Sequence, residues 1–390
     1  MHAEVLVVGG GPIGAVSARC AAEAGTKALL VDRRDSLQRS SCCTGLVTRR
    51  ALKNLGVSED CVLREIRGVV AHAPDGRTLH LTADEPKAVV IDRHRLEMEL
   101  HVQARDAGVE IRLGTEATGR SKDGIILESR NRKEQLTAKA IIGADGPRSQ
   151  IAKWFGLPSP EQVIHAVQAV IQTDHEGNTN EVNVFLGHDV APGFFAWAVP
   201  ADPGQLRIGL GVTPPSNPSE HLARLLAERF PEARIISRAS GLIPICPVAQ
   251  AATNSVFLVG DAAGQVKPLS GGGLYPGAVC ARIAGRMATR AIRSTAQDDD
   301  LATQYDSEWK SAIGREIAFG RSIRRISEMI SDPELNALFA ACDDPELLSF
   351  LAEHADIDRF HRLPDSLATH PSFWAKTVRL LPLLMSRESV

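Results

Sequence analysis

Val5-Leu6-Val7-Val8-Gly9-Gly10-Gly11-Pro12-Ile13-Gly14-Ala15-Val16-Ser17-Ala18, followed by Ala28-Leu29-Leu30-Val31-Asp32, is the stretch on which the fold turns. Two continuous apolar runs flank an alanine-rich segment. That is the pattern of parallel strands buried on both faces and joined by a helix. Between the first strand and the helix, Gly9-x-Gly11-x-x-Gly14 allows a tight turn and lets backbone N–H groups approach a pyrophosphate at the helix N-terminus. Ala18 offers the small side chain that close helix–sheet packing needs. Asp32 ends the second strand eighteen residues beyond Gly14, where an acid can accept hydrogen bonds from ribose hydroxyls. The motif predicts a dinucleotide and leaves FAD or NAD open.

Working outward, the 390 residues suffice for two or three domains and a large core. Hydrophobic residues make up 44% and charged ones 23%, as in an ordinary globular protein. A formal charge of −3 carries no field for nucleic acid, and aromatics at 4% give no base-stacking platform, so no nucleic-acid partner is expected. No apolar run approaches the ~20 residues that span a bilayer. The strand pattern starts almost at the first residue, so no signal peptide is expected. Seven cysteines at irregular spacing, without a CxxC pair, fit neither a disulfide framework nor a zinc or iron–sulfur site. A reduced, cytoplasmic protein without a metal is the expectation.

Further along, residues 68–91 alternate about the turn Pro74-Asp75-Gly76. Asp92–Ala107 is predicted helical, with Leu96, Leu100 and Ala104 on one face. Strands are expected near 111–113 and 124–127 and, buried, at 138–142. Residues 163–247 read as mostly strands, clearest at 194–199 and 206–212. Ser255–Val259 resumes the buried parallel pattern and leads into a helix from about Gly273. Beyond Leu301 the chain reads as helical, broken at Asp332-Pro333, Asp344-Pro345 and His370-Pro371. The expected fold is α/β: a Rossmann-like nucleotide-binding domain (1–67, 92–160, 250–300), interrupted by an antiparallel β-rich substrate domain (68–91, 161–249). A helical region (301–390) closes the chain.

A second glycine site decides between the dinucleotides. After the strand at 255–259 come Gly260-Asp261-Ala262-Ala263-Gly264, then Pro268 and Gly271-Gly272-Gly273-Leu274 opening a helix. An acid at a strand end can hold ribityl hydroxyls, and a helix N-terminus can stabilise negative charge on a flavin's polar edge. A flavin reaching across the sheet needs such an element and NAD does not, so FAD is the expected cofactor.

With these motifs the sequence resembles FAD-dependent oxidoreductases of the p-hydroxybenzoate hydroxylase type, and Gly143-Ala144-Asp145-Gly146-Pro147 is similar to their middle D-G motif. A narrower resemblance is to the geranylgeranyl reductase family. Phe195-x-Trp197-x-Val199-Pro200 followed by Gly209-x-Gly211 is similar to its Y/F-x-W-x-F-P…G-x-G signature, with Val199 in place of phenylalanine. Cys43-Thr44-Gly45-Leu46-Val47-Thr48 resembles its C-x-G-x-x-S pattern. The resemblance implies FAD contacts at Cys43, Thr44, Gly45, Arg93, Ala117, Asp261, Gly273 and Leu274, besides Gly9, Gly11, Gly14 and Asp32. From pattern alone Arg93 reads equally as a solvated helix charge.

The implied activity is reduction of isolated prenyl double bonds in archaeal-type membrane-lipid precursors, with a prenyl lipid as substrate and NAD(P)H or ferredoxin as transient electron donor. Phe195 and Trp197, two apart on a strand, share a face and by pattern either fill a core or wall a prenyl tunnel; the resemblance implies the wall, with both residues binding substrate. An isolated alkene has no carbonyl to absorb charge, so an acid must protonate one carbon as hydride reaches the other. Cys42, Cys43 and Tyr275 are candidates, with Cys43 preferred. The alternatives are a flavin monooxygenase or halogenase, which would consume oxygen, and a prenyl-binding protein without redox chemistry. The segment 372–385, with apolar and basic residues interleaved, either packs on the protein or makes a peripheral membrane contact.

Overall fold

The structure, a computed structural model, describes residues 2–37, 42–122, 124–130, 132–174, 178–293 and 298–368. His2–Val8, Ala28–Asp32, Glu110–Leu113, Arg132–Gly143 and Val256–Leu258 form one parallel array, with His2–Val8 between Arg132–Gly143 and Ala28–Asp32. Val5–Val8 register with Ala28–Val31 on one side and Ala140–Gly143 on the other. Their side chains are almost wholly buried in the main core, packed with residues of the helices Pro12–Glu23 and Leu274–Arg293 and with Ile125, Leu127 and Leu136. The helix Pro12–Glu23 lies across the sheet against the helix Leu274–Arg293, so the first and last thirds of the expected nucleotide-binding unit share a core.

The far half of Arg132–Gly143 leaves this array and pairs antiparallel with Gly124–Ser129, which pairs with Glu116–Ser121. The sequence pattern missed Glu116–Ser121, whose small and polar residues carry no apolar alternation.

A second sheet has seven strands in the order Arg234–Ile245, Gln162–Gln172, Gln205–Val212, Ala196–Pro200, Glu181–Phe185, Gly68–His72 and Thr78–Thr82. All its pairs are antiparallel except Glu181–Phe185 with Gly68–His72. Two expectations need correcting. The stretch 163–247 is not strands alone, since Pro218–Arg229 is a helix. Asn217 caps it, Pro218 opens it, and Leu222, Leu225 and Leu226 pack into the sheet's core at helical spacing. Nor do residues 68–91 belong together. The hairpin 68–82 joins the large sheet, while Ala88–Ile91 pairs with Leu46–Val47 and Val62–Ile66 in a separate three-stranded sheet. Its four residues are wholly buried, which requires cover on both sides.

Beyond residue 298 the chain is helical: Asp298–Met329, Asp332–Cys342, Pro345–His354 and Leu363–Ala368. The breaks are capping devices. Ser331 and Glu334 form a reciprocal capping box, and Asp344 accepts from the N–H groups of Glu346 and Leu347. The break at His370-Pro371 and the segment 372–385 lie outside the described residues. Among the described residues no helix is long and apolar enough to cross a membrane.

Candidate cofactor site

The turn after the first strand is held from three sides. Gly9, at φ +105°, has no room for a side chain, because a Cβ there would strike the Ala144 carbonyl. A Cβ at Gly14 would run into the Gly9 carbonyl oxygen, whereas one at Gly11 would meet nothing within 4 Å. The Gly10 N–H donates to Asp32 Oδ2 at 2.6 Å, and the Gly10 carbonyl accepts from His101 Nε2 at 2.7 Å. Burial pushes the His101 pKa down, so the ring is neutral and its Nε2 carries the donated proton. The helix that follows opens at Gly11-Pro12 with no side-chain cap and no acid in its first turn. Its N-terminal N–H groups are left for an anion.

From Asp32 a chain of charged side chains runs to the helix Arg93–Asp106. Asp32 accepts from the Arg34 backbone N–H at 2.7 Å and from its Nε at 3.1 Å. Arg34 Nη1 reaches Glu97 Oε2 at 2.9 Å, and Arg93 Nη2 reaches Glu97 Oε1 at 2.8 Å. Burial opposes the charge on Arg93, but Cys43 and Glu97 outweigh it and hold the guanidinium protonated. Arg93 Nε is buried with no partner among the described residues. Arg93 is therefore not the solvated helix charge that pattern alone allowed.

Asp261 faces this guanidinium from the second glycine site. Burial lifts its pKa to about 6, against the pull of Arg93. Its carboxylate makes no hydrogen bond among the described residues, and a Cβ on Gly273 would lie 3.1 Å from its Oδ1. Leu274, the next residue, starts the helix and packs against Ala15 and Val16 of the first one.

The third member is the Cys43-Thr44-Gly45 loop. Gly45 takes φ +69°, and its N–H donates to Cys43 Sγ at 3.4 Å. Three residues of the seven-stranded sheet hold the loop. Gln168 Nε2 donates to the Cys43 carbonyl at 3.2 Å while Gln168 Oε1 accepts from Trp197 Nε1 at 3.3 Å. Arg207 Nη1 donates to the carbonyls of Thr44 and Ile91, at 2.7 and 3.0 Å.

Trp197 and Phe195 meet edge to face, 5.8 Å between centroids. They belong to an apolar cluster with Cys42, Leu46, Phe194, Ile243 and Ile357. The two glycines of the G-x-G signature make room for it: a Cβ at Gly209 would lie 2.6 Å from the Trp197 indole, and one at Gly211 would lie 2.7 Å from Phe194. Burial pushes the Cys42 thiol up to about 12. Tyr275 stands apart, against a different cavity beyond the 267–275 loop. Ala117 also stands apart from Cys43, Arg93 and Asp261. It is half-buried against the main core, two residues past Thr115, whose N–H donates to the Asp32 carbonyl. The middle Asp145 accepts from Ser149 and from the N–H groups of Gln150 and Ile151, so here it caps a short helix.

Residues 2–317 match the FAD binding domain family. The chain belongs to that family. This FAD-binding protein is 29% identical over 355 residues to the digeranylgeranylglycerophospholipid reductase of Methanothrix thermoacetophila, covering 87% of this chain and 90% of the relative. It is 28% identical over 352 residues to the protein of the same name from Methanocaldococcus jannaschii, again covering 87% and 90%. Its fold matches a geranylgeranyl bacteriochlorophyll reductase-like protein from Thermoplasma acidophilum, with TM-score 0.83, 22% identity, and 98% and 99% of the two chains covered.

The residues present fit FAD. The open space at Gly11, the uncapped helix N-terminus, the orphaned Arg93 Nε and the unbonded Asp261 carboxylate are what a bound dinucleotide would satisfy. Sequence reasoning missed His101, Glu97, Arg34, Gln168 and Arg207. Glu97 left a signal, an acid one helical turn beyond Arg93 and next to the apolar positions Leu96 and Leu100.

Proposed function

We propose that this protein is an FAD-dependent reductase that saturates isolated prenyl double bonds of glycerolipid precursors, as the names of its curated relatives suggest. The observation that carries the reading is the Trp197–Gln168–Cys43 connection, which joins the apolar aromatic cluster directly to the loop at the proposed flavin edge. In this reading Gly9, Gly11 and Gly14 receive the pyrophosphate and Asp32, with Ala117 nearby, the adenosine half. Cys43, Thr44, Gly45, Arg93, Asp261, Gly273 and Leu274 surround the flavin half. Residues 1–67, 92–160 and 250–300 then act as the cofactor unit, and the seven-stranded sheet as the substrate unit.

Bound and reduced, FAD would supply hydride at this edge. The rest falls to the chain. Phe195 and Trp197 exclude water and form an apolar wall along which a prenyl chain can lie. Cys43 Sγ faces the Arg93 guanidinium, and in this reading the Cys43 thiol is the group that passes a proton to an alkene carbon. Burial pushes the neighbouring Cys42 thiol up to about 12. NAD(P)H or ferredoxin would deliver electrons by transient docking.

The test is anaerobic incubation of dithionite-reduced protein with digeranylgeranylglyceryl phosphate, followed by mass spectrometry. Addition of hydrogen pairs supports the reading. Unchanged lipid, or lipid-dependent oxygen consumption when air is admitted, sinks it in favour of a binding protein or a monooxygenase.

A further inference from the structure

A lipid of this class carries an anionic head as well as prenyl chains, and the aromatic cluster accounts only for the chains. A cavity of about 380 Å³ lies between the long helix Asp298–Met329, the start of the helix Leu274–Arg293 and the segment 358–362. We propose that this cavity binds a phosphate ester, the glycerophosphate head of the prenyl lipid; the identity of the lipid rests on the reading above.

Charge is the first support. Lys267, Arg315, Arg359, His361 and Arg362 line the cavity, against the acids Glu316 and Asp358. Both acids are already engaged. Glu316 Oε2 accepts from the His361 backbone N–H at 3.1 Å and from its Nδ1 at 2.9 Å. Asp358 accepts from Lys267 Nζ at 2.8 Å and from the Thr48 hydroxyl. Asp356, the carboxylate that Arg359 influences, is held by Arg50 at 2.8 Å. The side chains of Arg315 and Arg362 have no hydrogen bond or ion pair among the described residues. Lys310 also borders the cavity, but its Nζ turns to the Ala249 carbonyl. Arg315 and Arg362, both solvent-exposed on this concave surface, offer the charge and the bidentate donors that a phosphate takes.

Position is the second support. Ile357 packs into the apolar cluster with Phe195 and Trp197, while the next residue, Asp358, lines the cavity. The Ile357 carbonyl and the Asp358 carboxylate both bind the same Lys267 Nζ. A single pair of consecutive residues therefore separates the apolar wall from the basic cavity. A molecule with an apolar chain and a phosphate head needs those two surfaces side by side.

The deciding experiment compares FAD-loaded wild type with the double variant Arg315→Gln/Arg362→Gln on two substrates, digeranylgeranylglyceryl phosphate and uncharged digeranylgeranylglycerol. The expected result is a KM for the phosphate lipid raised about tenfold or more. The KM for the uncharged lipid and the flavin spectrum should stay unchanged. Equal effects on both lipids, or none on either, would overturn the proposal. Glycerol phosphate is titrated calorimetrically in parallel. Saturable binding without a KM split assigns the cavity to a free phosphate ester and overturns the lipid-head form. If wild type reduces neither lipid, the activity falls while the cavity is decided by the titration alone: saturable heat in wild type, lost in the double variant, retains a phosphate site, and no heat in wild type removes it.

Discussion

Arg93 and Glu97, one turn apart on the helix Arg93–Asp106, form a 2.8 Å ion pair whose carboxylate is shared with Arg34 at 2.9 Å. Through this shared acid the Asp32 end of the site is tied to the Cys43 and Asp261 end. Glu97 has only 6% of its side chain exposed, and both of its carboxylate oxygens are taken by the two arginines. Glu97→Gln should leave Arg93 without its carboxylate ion-pair partner, while Arg34 keeps Asp32, and lower stability by roughly 3–5 kcal/mol. It should also weaken FAD binding, because the ion pair that ties Arg34, and with it Asp32, to the Arg93 helix is lost. Urea unfolding and flavin-fluorescence titration measure the two effects; unchanged FAD affinity would mean that the brace is not needed.

The glycines divide into two kinds. A methyl at Gly11 meets nothing and the φ of −65° suits alanine, so Gly11→Ala should cost the apoprotein less than about 1 kcal/mol. Its effect should fall on the cofactor, seen as a loss of bound flavin after desalting. Gly14→Ala, by contrast, meets the Gly9 carbonyl and should lower the melting temperature even without cofactor. Equal melting losses in the two variants would contradict this division.

Asp261 costs the apoprotein stability. Its folded pKa of about 6 exceeds the ordinary 3.8, so between those values the folded chain binds more protons than the unfolded one. Stability from this group therefore falls as pH rises through that window, and the penalty is complete above pH 6. Asp261→Asn should remove a penalty on the order of 3 kcal/mol at pH 7 and flatten the slope between pH 4 and 6. The same change should weaken FAD binding. Urea midpoints of the two apoproteins across that range are the check; identical slopes would mean that Asp261 titrates normally.

Asp358 pins the segment before Leu363 to the 264–273 loop. Its side chain is 1% exposed and is met by Lys267, itself 10% exposed. Asp358→Ala should cost roughly 3–5 kcal/mol by leaving the ammonium unpaired. The pair change Lys267→Met/Asp358→Leu should recover most of it. Limited proteolysis around residues 355–362 reports the release, and full stability of the single variant would argue against the pin.

Cys43→Ser keeps the loop geometry but replaces the thiol with a far weaker acid. Single-turnover alkene reduction should slow by at least about tenfold, while flavin binding holds. Undiminished turnover would remove Cys43 from the chemistry.

Much of this was legible in sequence because it is local. Gly9-x-Gly11-x-x-Gly14 and Asp32 are constrained by one turn and its flanking strands, and Gly260–Gly273 by another. The G-x-G at 209–211 was legible as a motif, but its reason, clearance for Trp197 and Phe194 on the neighbouring strand and turn, appears only with strand pairing. The helix Pro218–Arg229 was missed although Leu222, Leu225 and Leu226 carry its period, because the surrounding strands dominated the reading.

By itself the sequence determined the strand–glycine turn–helix units, their order and the interrupted sheet, since backbone conformation and burial periodicity are written within a dozen residues. Only the tertiary structure decided that Arg93 and Glu97 are buried partners, that Gln168 and Arg207 hold the Cys43 loop, and that Asp358 closes on Lys267. Arg93 and Glu97 are one helical turn apart, but the contacts that fix them and the others in place join residues from 63 positions apart, between Arg34 and Glu97, to 163, between Thr44 and Arg207. A hydrogen bond over such a separation depends on sheet register and helix docking, which no local pattern encodes.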